Sequence, residues 1–252
     1  MDIPDEQFYN KVAAKFGGYK SGAIYTQKFS DGDPEQIFLE ALLGYAGNDK
    51  IAMDIGCADG RFTLKIAPNF KQIIAIDVSE KMLDAAQRLQ MEQKISHVLF
   101  QKMDAAKTSF GDEYFDTVYS RRGPTPYQEI HRVLKKDGYF IEIRIGEKDA
   151  MELKEVFGRG QDFDERNTSA SESKRVELEA VGLAPIFVKE CFYSEYYPNI
   201  DNLSLFLKGV PIFKDFDPIK DGGSLSEYVE KMNTQEGIEL KRHRVVIVAH
   251  KV

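Results

Sequence analysis

Four short stretches place chemistry-bearing side chains at regular intervals in the first half of the chain. The first is Asp54-Ile55-Gly56-Cys57-Ala58-Asp59-Gly60. Its glycines let backbone amides approach a ligand closely, and the helix that follows turns its N-terminal amide groups toward it. The second is Asp77, a carboxylate able to accept two hydrogen bonds from a ribose diol. The third, Met103-Asp104-Ala105, supplies another acid. The fourth, Ser120-Arg121-Arg122-Gly123-Pro124, sets two adjacent guanidiniums beside a turn, the side chain best suited to forked contact with carboxylate or phosphate. A glycine turn alone is weak evidence for a nucleoside ligand. Followed by two acids at this spacing it is much sharper.

The elements that must position these residues can be read from the pattern of apolar runs. Asp33-Pro34 starts a helix with proline at its first position, and Ile37, Phe38, Ala41, Leu42 and Tyr45 form its apolar stripe. Strands are expected at residues 51–55, 72–76, 98–101, 115–120 and 139–145. Helices lie between them: one from Arg61, one capped by Ser79 and one capped by Thr125 with Pro126 in its first turn. Strand and helix alternating at this spacing build a parallel sheet covered on both faces. In such a sheet ligands bind beyond the carboxyl ends of the strands, where all four stretches fall. Further on, a polar segment (158–173) leads to a helix, and strands are expected at 186–193 and 244–249. The residues between those two strands are too many for a plain connection and call for structure of their own.

Composition excludes several function classes. The 252 residues carry 34 Lys+Arg against 41 Asp+Glu, a net charge of −7, which argues against a general nucleic-acid binder. Two cysteines, Cys57 and Cys191, make no disulfide scaffold, and no metal site is assigned. The sequence shows no apolar run of membrane-spanning length and no signal peptide at its acidic start, so a cytoplasmic protein is expected. His97, His131, His243 and His250 are read as surface or structural residues, and Cys57 as a small buried side chain.

On these residues the sequence resembles the Rossmann-like, S-adenosylmethionine-dependent methyltransferases, strongly from residue 51 to 145 and more weakly beyond. Residues 54–60 look like the family's first motif, with Ala58 where glycine is usual. Residues 76–83 resemble the second, whose acid contacts the ribose, and residues 101–105 the third, which holds the adenine. Glu129 to Tyr139 resembles the usual entry to strand five. The resemblance implies a doubly wound α/β fold: a mostly parallel seven-stranded sheet with an antiparallel last strand and a small cap inserted before it. Residues 1–32 would be an arm contributing to a lid. Residues 33–196 and 243–252 would form the cofactor domain, and residues 197–242 the acceptor-binding cap.

The cofactor implied is S-adenosylmethionine. The residues assigned to it are Asp54, Gly56, Cys57, Ala58, Gly60, Asp77, Val78, Met82, Met103, Asp104, Ala105, Ser120 and Arg121, with Asp54 fixing the glycine loop. Tyr9, Tyr19 and Arg122 are assigned to the acceptor. Core packing is the even alternative for the tyrosines, and a solvated loop charge for the arginines. No catalytic base is named. The expected acceptor is a small molecule, with nucleic acid disfavoured and a monomer or homodimer expected. The alternatives are an RNA or protein methyltransferase, a cofactor-binding regulator without turnover, and an NAD(P)-dependent oxidoreductase. The last is disfavoured because the turn is not Gly-x-Gly-x-x-Gly and leaves Asp104 without a role.

Overall fold

Apolar runs and capped helices alternate along the chain, and the computed structural model, which describes residues 5–19, 21–165 and 170–252, folds them around one mixed sheet. The arm supplies α1 (Asp5–Phe16) and β1 (Thr26–Phe29). There follow α2 (Pro34–Gly44), β2 (Gly47–Ile55), α3 (Arg61–Ile66), β3 (Phe70–Asp77), α4 (Glu80–Gln93) and β4 (Val98–Lys102). Next come β5 (Phe115–Arg121), α5 (Tyr127–Val133), β6 (Leu134–Ile145), α6 (Met151–Phe157), α7 (Ala170–Ala180) and β7 (Leu183–Tyr197). The C-terminal part holds α8 (Ile200–Leu207), α9 (Gly222–Met232), β8 (Asn233–Thr234) and β9 (Gly237–Lys251).

Two helices start as their first residues imply. The Asp33 carboxylate accepts the Glu35 amide at 2.9 Å, and the Ser79 hydroxyl accepts the Met82 amide at 3.2 Å. Each satisfies a donor that has no partner within its helix. Helix α5 differs from expectation: its capping position is Pro126, with no side-chain cap, so Thr125 does not serve.

The sheet runs β1-β7-β9-β6-β5-β2-β3-β4, with β8 paired to β9. Strands β2 to β6 are parallel where they meet, while β9 is antiparallel to both β6 and β7. This is the expected layout with two additions. The sheet has nine strands rather than seven, because β8 forms a hairpin with β9 and β1 adds to β7, Thr26 opposite Tyr196. Residues 26–29 are exposed on both faces, so no alternation of apolar residues announced them. Strands β7 and β9 also outrun their apolar runs. Beyond Tyr193 and before Arg244 their buried positions include Glu195 and Arg242, charged residues that break the hydrophobic pattern without leaving the strand.

The core is layered. Phe38, Leu42, Ile73, Ile141 and Val246 pack on one face of the sheet; Val118, Ile130, Leu178, Val245 and Ile247 pack on the other. The parallel strands end buried on both sides, as continuous apolar runs require. A third cluster joins α6, α8 and α9 to the outer ends of β7 and β9 through Leu153, Leu203, Phe206, Tyr228 and Leu240. A fourth seats the arm on α4: Phe8, Val12 and Ala13 enclose Met82.

Between the sheet and the third cluster lies a buried ionic knot. Asp149, just after β6, accepts from Arg242 Nε at 2.9 Å and from Arg244 Nη1 at 2.5 Å. Arg242 Nη1 donates to Glu195 at 2.8 Å, and the Tyr197 hydroxyl donates to the same carboxylate at 2.8 Å. Two guanidiniums and two carboxylates balance, and all four residues are buried. Burial alone would raise the Asp149 pKa, but the two guanidiniums outweigh it and hold that carboxyl well below the usual range.

Candidate functional site

Strand β2 ends in a loop whose backbone takes the left-handed conformation three times in five residues, at Gly56 (φ 73°), Ala58 (φ 47°) and Gly60 (φ 71°). Two of these need glycine. A Cβ at Gly60 would stand 2.6 Å from Phe100 and 2.8 Å from Ala86, so the absent side chain is what brings α3 against α4 and β4. A non-glycine residue at Ala58 stores strain, about 1–3 kcal/mol by general experience. The structure holds it there by a bond from the Ala58 amide to Asp77 at 2.9 Å. The other Asp77 oxygen accepts the Ser79 amide at 2.8 Å, so one carboxylate ties the loop to the start of α4. Burial raises the Asp77 pKa, partly countered by the amides of Ser79, Ala58 and Val78. Three amides on about four lone-pair sites leave room for a further donor.

Asp54 sits behind the loop, buried, and accepts the Thr63 hydroxyl at 2.6 Å. Burial lifts its pKa to about 6, against the lowering by that hydroxyl. A carboxyl whose folded pKa lies above its ordinary 3.8 costs stability as it ionises, so the cost grows from pH 4 to 6 and is constant above. Chemical denaturation of the parent and of Asp54→Asn over pH 4–8 is expected to show the variant gaining on the parent up to about pH 6 and then running level. A difference constant across the range would show that Asp54 ionises like an exposed acid.

A cleft of about 850 Å³ opens at the carboxyl ends of β2 to β5. Of the residues assigned from sequence, Gly56, Ala58, Asp77, Val78, Met103, Asp104, Ala105, Arg121, Arg122, Tyr9 and Tyr19 line it. Asp54, Cys57, Gly60, Met82 and Ser120 lie outside its lining. Cys57 is buried, and burial pushes its thiol pKa up. Met82 is under the arm, and the Ser120 hydroxyl meets the carbonyls of Ile55 and Pro124 at 3.4 Å. The arm is docked at the glycine loop: the Tyr19 amide donates to Asp59 at 2.7 Å, and Tyr9 packs edge-on against Tyr19.

The far wall was not legible. It comes from Arg159-Gly160-Gln161-Asp162 after α6 and from Pro211 to Asp215 before α9, joined by a bond from the Gln161 amide to the Ile212 carbonyl at 2.9 Å. Arg159 pairs with Asp215 at 2.6 Å and Asp221 at 2.9 Å, its guanidinium over Phe213. Glu35, in the first turn of α2, was also missed. It pairs with Arg121 at 2.7 Å and with Arg122, and although burial acts to raise its pKa, the two arginines bring it down to about 2. The sequence marked 158–173 only as a polar segment and the residues between the last two expected strands only as needing structure of their own; nothing local marked Glu35.

Residues 52–138 match a methyltransferase domain family. The uncharacterized methyltransferase YcgJ of Bacillus subtilis is 29% identical over 131 residues, 49% of this chain and 52% of that protein. The chain thus spans about half the length of this relative in the alignment. The crystal structure of YcgJ superposes with a TM-score of 0.64 over 86% of this chain and 98% of that one, at 19% identity. A geranyl diphosphate C-methyltransferase from Streptomyces coelicolor, solved with Mg²⁺, geranyl diphosphate and S-adenosyl-L-homocysteine, superposes at 0.58 over 98% and 96%, at 15% identity. At these identities the superpositions speak for the fold.

Proposed function

We propose that the chain is a Rossmann-like, S-adenosylmethionine-dependent methyltransferase and that it moves the methyl group of S-adenosylmethionine to a small-molecule acceptor. The observation that carries this reading is that the ends of β2, β3, β4 and β5 each contribute a motif residue to the same cleft: Gly56, Asp77, Asp104 and Arg121. The donor set fits the cofactor. Asp77 has a lone pair to spare for a ribose hydroxyl, Met103 to Ala105 offer an acid and amides beside it, and Tyr9 closes that end. A volume of about 850 Å³ is within the range of roughly 300–1,000 Å³ usual for small-ligand sites.

The bound cofactor supplies an electrophilic methyl group on a sulfonium. The chain's task is then to align and to exclude water. The glycine loop and Asp77 fix the nucleoside, the arm roofs it through Tyr9 and Tyr19, and the segments around Arg159 and Phe213 wall the opposite side. The rim carries Glu6, Asp77, Asp104, Asp162 and Asp215 beside Arg121, Arg122, Arg159 and Lys214, a balance that disfavours a phosphate backbone as acceptor. Residues 197–242, which hold α8, α9 and β8 and run into β9, are proposed as the acceptor-binding cap. Among the described residues no helix is long and apolar enough to cross a membrane. A cytoplasmic location is proposed, and the free thiols Cys57 and Cys191 are buried.

Calorimetry with S-adenosylhomocysteine, NAD and NADP tests the reading. Heat of binding is expected with the first alone. Heat with a nicotinamide dinucleotide and none with S-adenosylhomocysteine would overturn it.

A further inference from the structure

Arg121 ends the strand beside which the transferred methyl group would lie, Arg122 follows it, and Glu35 stands between the two side chains. One carboxylate oxygen accepts from Arg121 Nε at 2.7 Å, the other from Arg122 Nη1. Among the described residues Glu35 is the only hydrogen-bonding partner of either guanidinium, so most of their ten N–H donors are left over. The side chains of Arg122, Arg121 and Glu35 are 22%, 32% and 36% exposed, partly withdrawn from water.

The cluster is set before any ligand arrives. Arg122 has a left-handed backbone (φ 62°), its amide bonded to the Ile143 carbonyl at 2.8 Å. Gly123, next to it, has no room for a side chain: a Cβ would meet the Ile55 carbonyl at 2.7 Å. Arg121 is steadied over the Phe62 ring, 5.2 Å from its centre. The cleft's other charges are matched or opposed. Arg159 is doubly paired, Lys214 shares the far rim with Asp162, and Glu6, Asp77 and Asp104 lie at the opposite end.

Among the directly bonded groups two cations and one anion leave a charge of +1 on a rigid, donor-rich fork that lines the cleft, with Asp54 acting on Arg121 through space from behind the loop. We infer that this fork receives one singly charged anionic group, a carboxylate of the acceptor or of the cofactor's methionine portion, and that Glu35 is the residue that sets that charge. The inference rests on the methyltransferase reading for what enters the cleft. A monoanion brings the cluster to neutrality. A dianion, such as a phosphate monoester, leaves a net negative charge in a partly desolvated place, which is unfavourable. Without the Glu35 charge the fork carries +2, and the preference reverses.

The experiment compares the full chain with Glu35→Gln, using two pairs of probes. Benzoate and phenyl phosphate, titrated by ligand-observed NMR in the absence of cofactor, read the fork itself. S-adenosylhomocysteine and 5′-methylthioadenosine, which lacks the amino-acid carboxylate, read the cofactor as the source. The parent is expected to prefer benzoate, and Glu35→Gln to move the ratio toward phenyl phosphate about tenfold, the scale of one charge-assisted hydrogen bond. Glu35→Asp, which keeps the charge, is expected to keep the preference for carboxylate. If Glu35→Gln instead changes the ratio of S-adenosylhomocysteine to methylthioadenosine affinity by that factor, the anion received is the cofactor's. Neither ratio moving in a variant that melts like the parent would overturn the inference. Should Glu35→Gln not fold, Arg122→Gln serves: it brings the cluster to zero, and undiminished binding of both aryl anions would overturn the inference equally. Because the aryl probes need no cofactor, a chain that binds no S-adenosylhomocysteine fails the methyltransferase reading while still reporting on the fork.

Discussion

Replacing Asp149 with alanine is expected to remove about 3–5 kcal/mol of stability, the usual cost of stripping one partner from a buried ion cluster. For a chain of this size that corresponds to a fall in melting temperature of about 6–20 °C. The carboxylate answers two guanidiniums at once, Arg242 at 2.9 Å and Arg244 at 2.5 Å. Once it is gone Arg242 keeps Glu195, but Arg244 has no paired carboxylate left among the described residues and stays buried. The charge, not the contact area, carries the cost, so the double variant Asp149→Ala/Arg244→Met is expected to melt above the single one. Because the folded pKa of Asp149 is depressed, its contribution is complete above the ordinary 3.8 and is lost only as pH falls well below it. The gap between parent and variant is therefore expected to persist down to pH 4. A shift of less than 2 °C by circular dichroism would mean that water reaches the cluster.

Asp77→Ala is expected to weaken S-adenosylhomocysteine by about 1.5–3 kcal/mol, roughly 10- to 150-fold. Two losses combine: the proposed bond to the ribose, and the ties that hold the Ala58 and Ser79 amides. With its clamp removed, Ala58 no longer has a reason to keep its left-handed backbone, and the loop relaxes away from the ligand. Asp77→Asn retains one acceptor oxygen and is expected to fall between parent and alanine variant. Calorimetry measures all three. An affinity of Asp77→Ala within twofold of the parent would take Asp77 out of the site.

What the sequence disclosed was whatever is written locally. Asp77 ends its strand, and Gly56 and Asp104 follow theirs by one and two residues, so finding the strands was finding them, and the structure brings them to one cleft. Asp33 and Ser79 announced their helices in the same way. Hidden features depended on partners far along the chain. Glu35 meets Arg121 across 86 positions, and as a first-turn acid it looks like any helix start. Arg159 is an ordinary polar residue until the cap folds over it. Arg242 and Glu195 occupy core positions that an apolar pattern would assign to the surface, because each is acceptable there only in the other's company. The short strand β1 is exposed on both faces and holds its place by backbone pairing and by contacts of Gln27, Lys28 and Phe29 with residues about 160–210 positions away, none of which leaves a local apolar pattern.

The place of β9 in the sheet sets an order of assembly. It lies between β6 and β7, yet follows both in the chain. While residues 237–251 are still in the ribosome, β6 has an open flank and β7 has no neighbour on its inner side. Strand β1 must wait as well, because its partner β7 is not yet anchored, so residues 26–29 are made well before β7 and placed only after it. Long-range pairings of this kind delay closure and leave strand edges bare meanwhile. The nascent chain therefore passes through a stage with a formed parallel half, β2 to β6, and an unpaired antiparallel half, which is the interval in which it is most open to association with other chains.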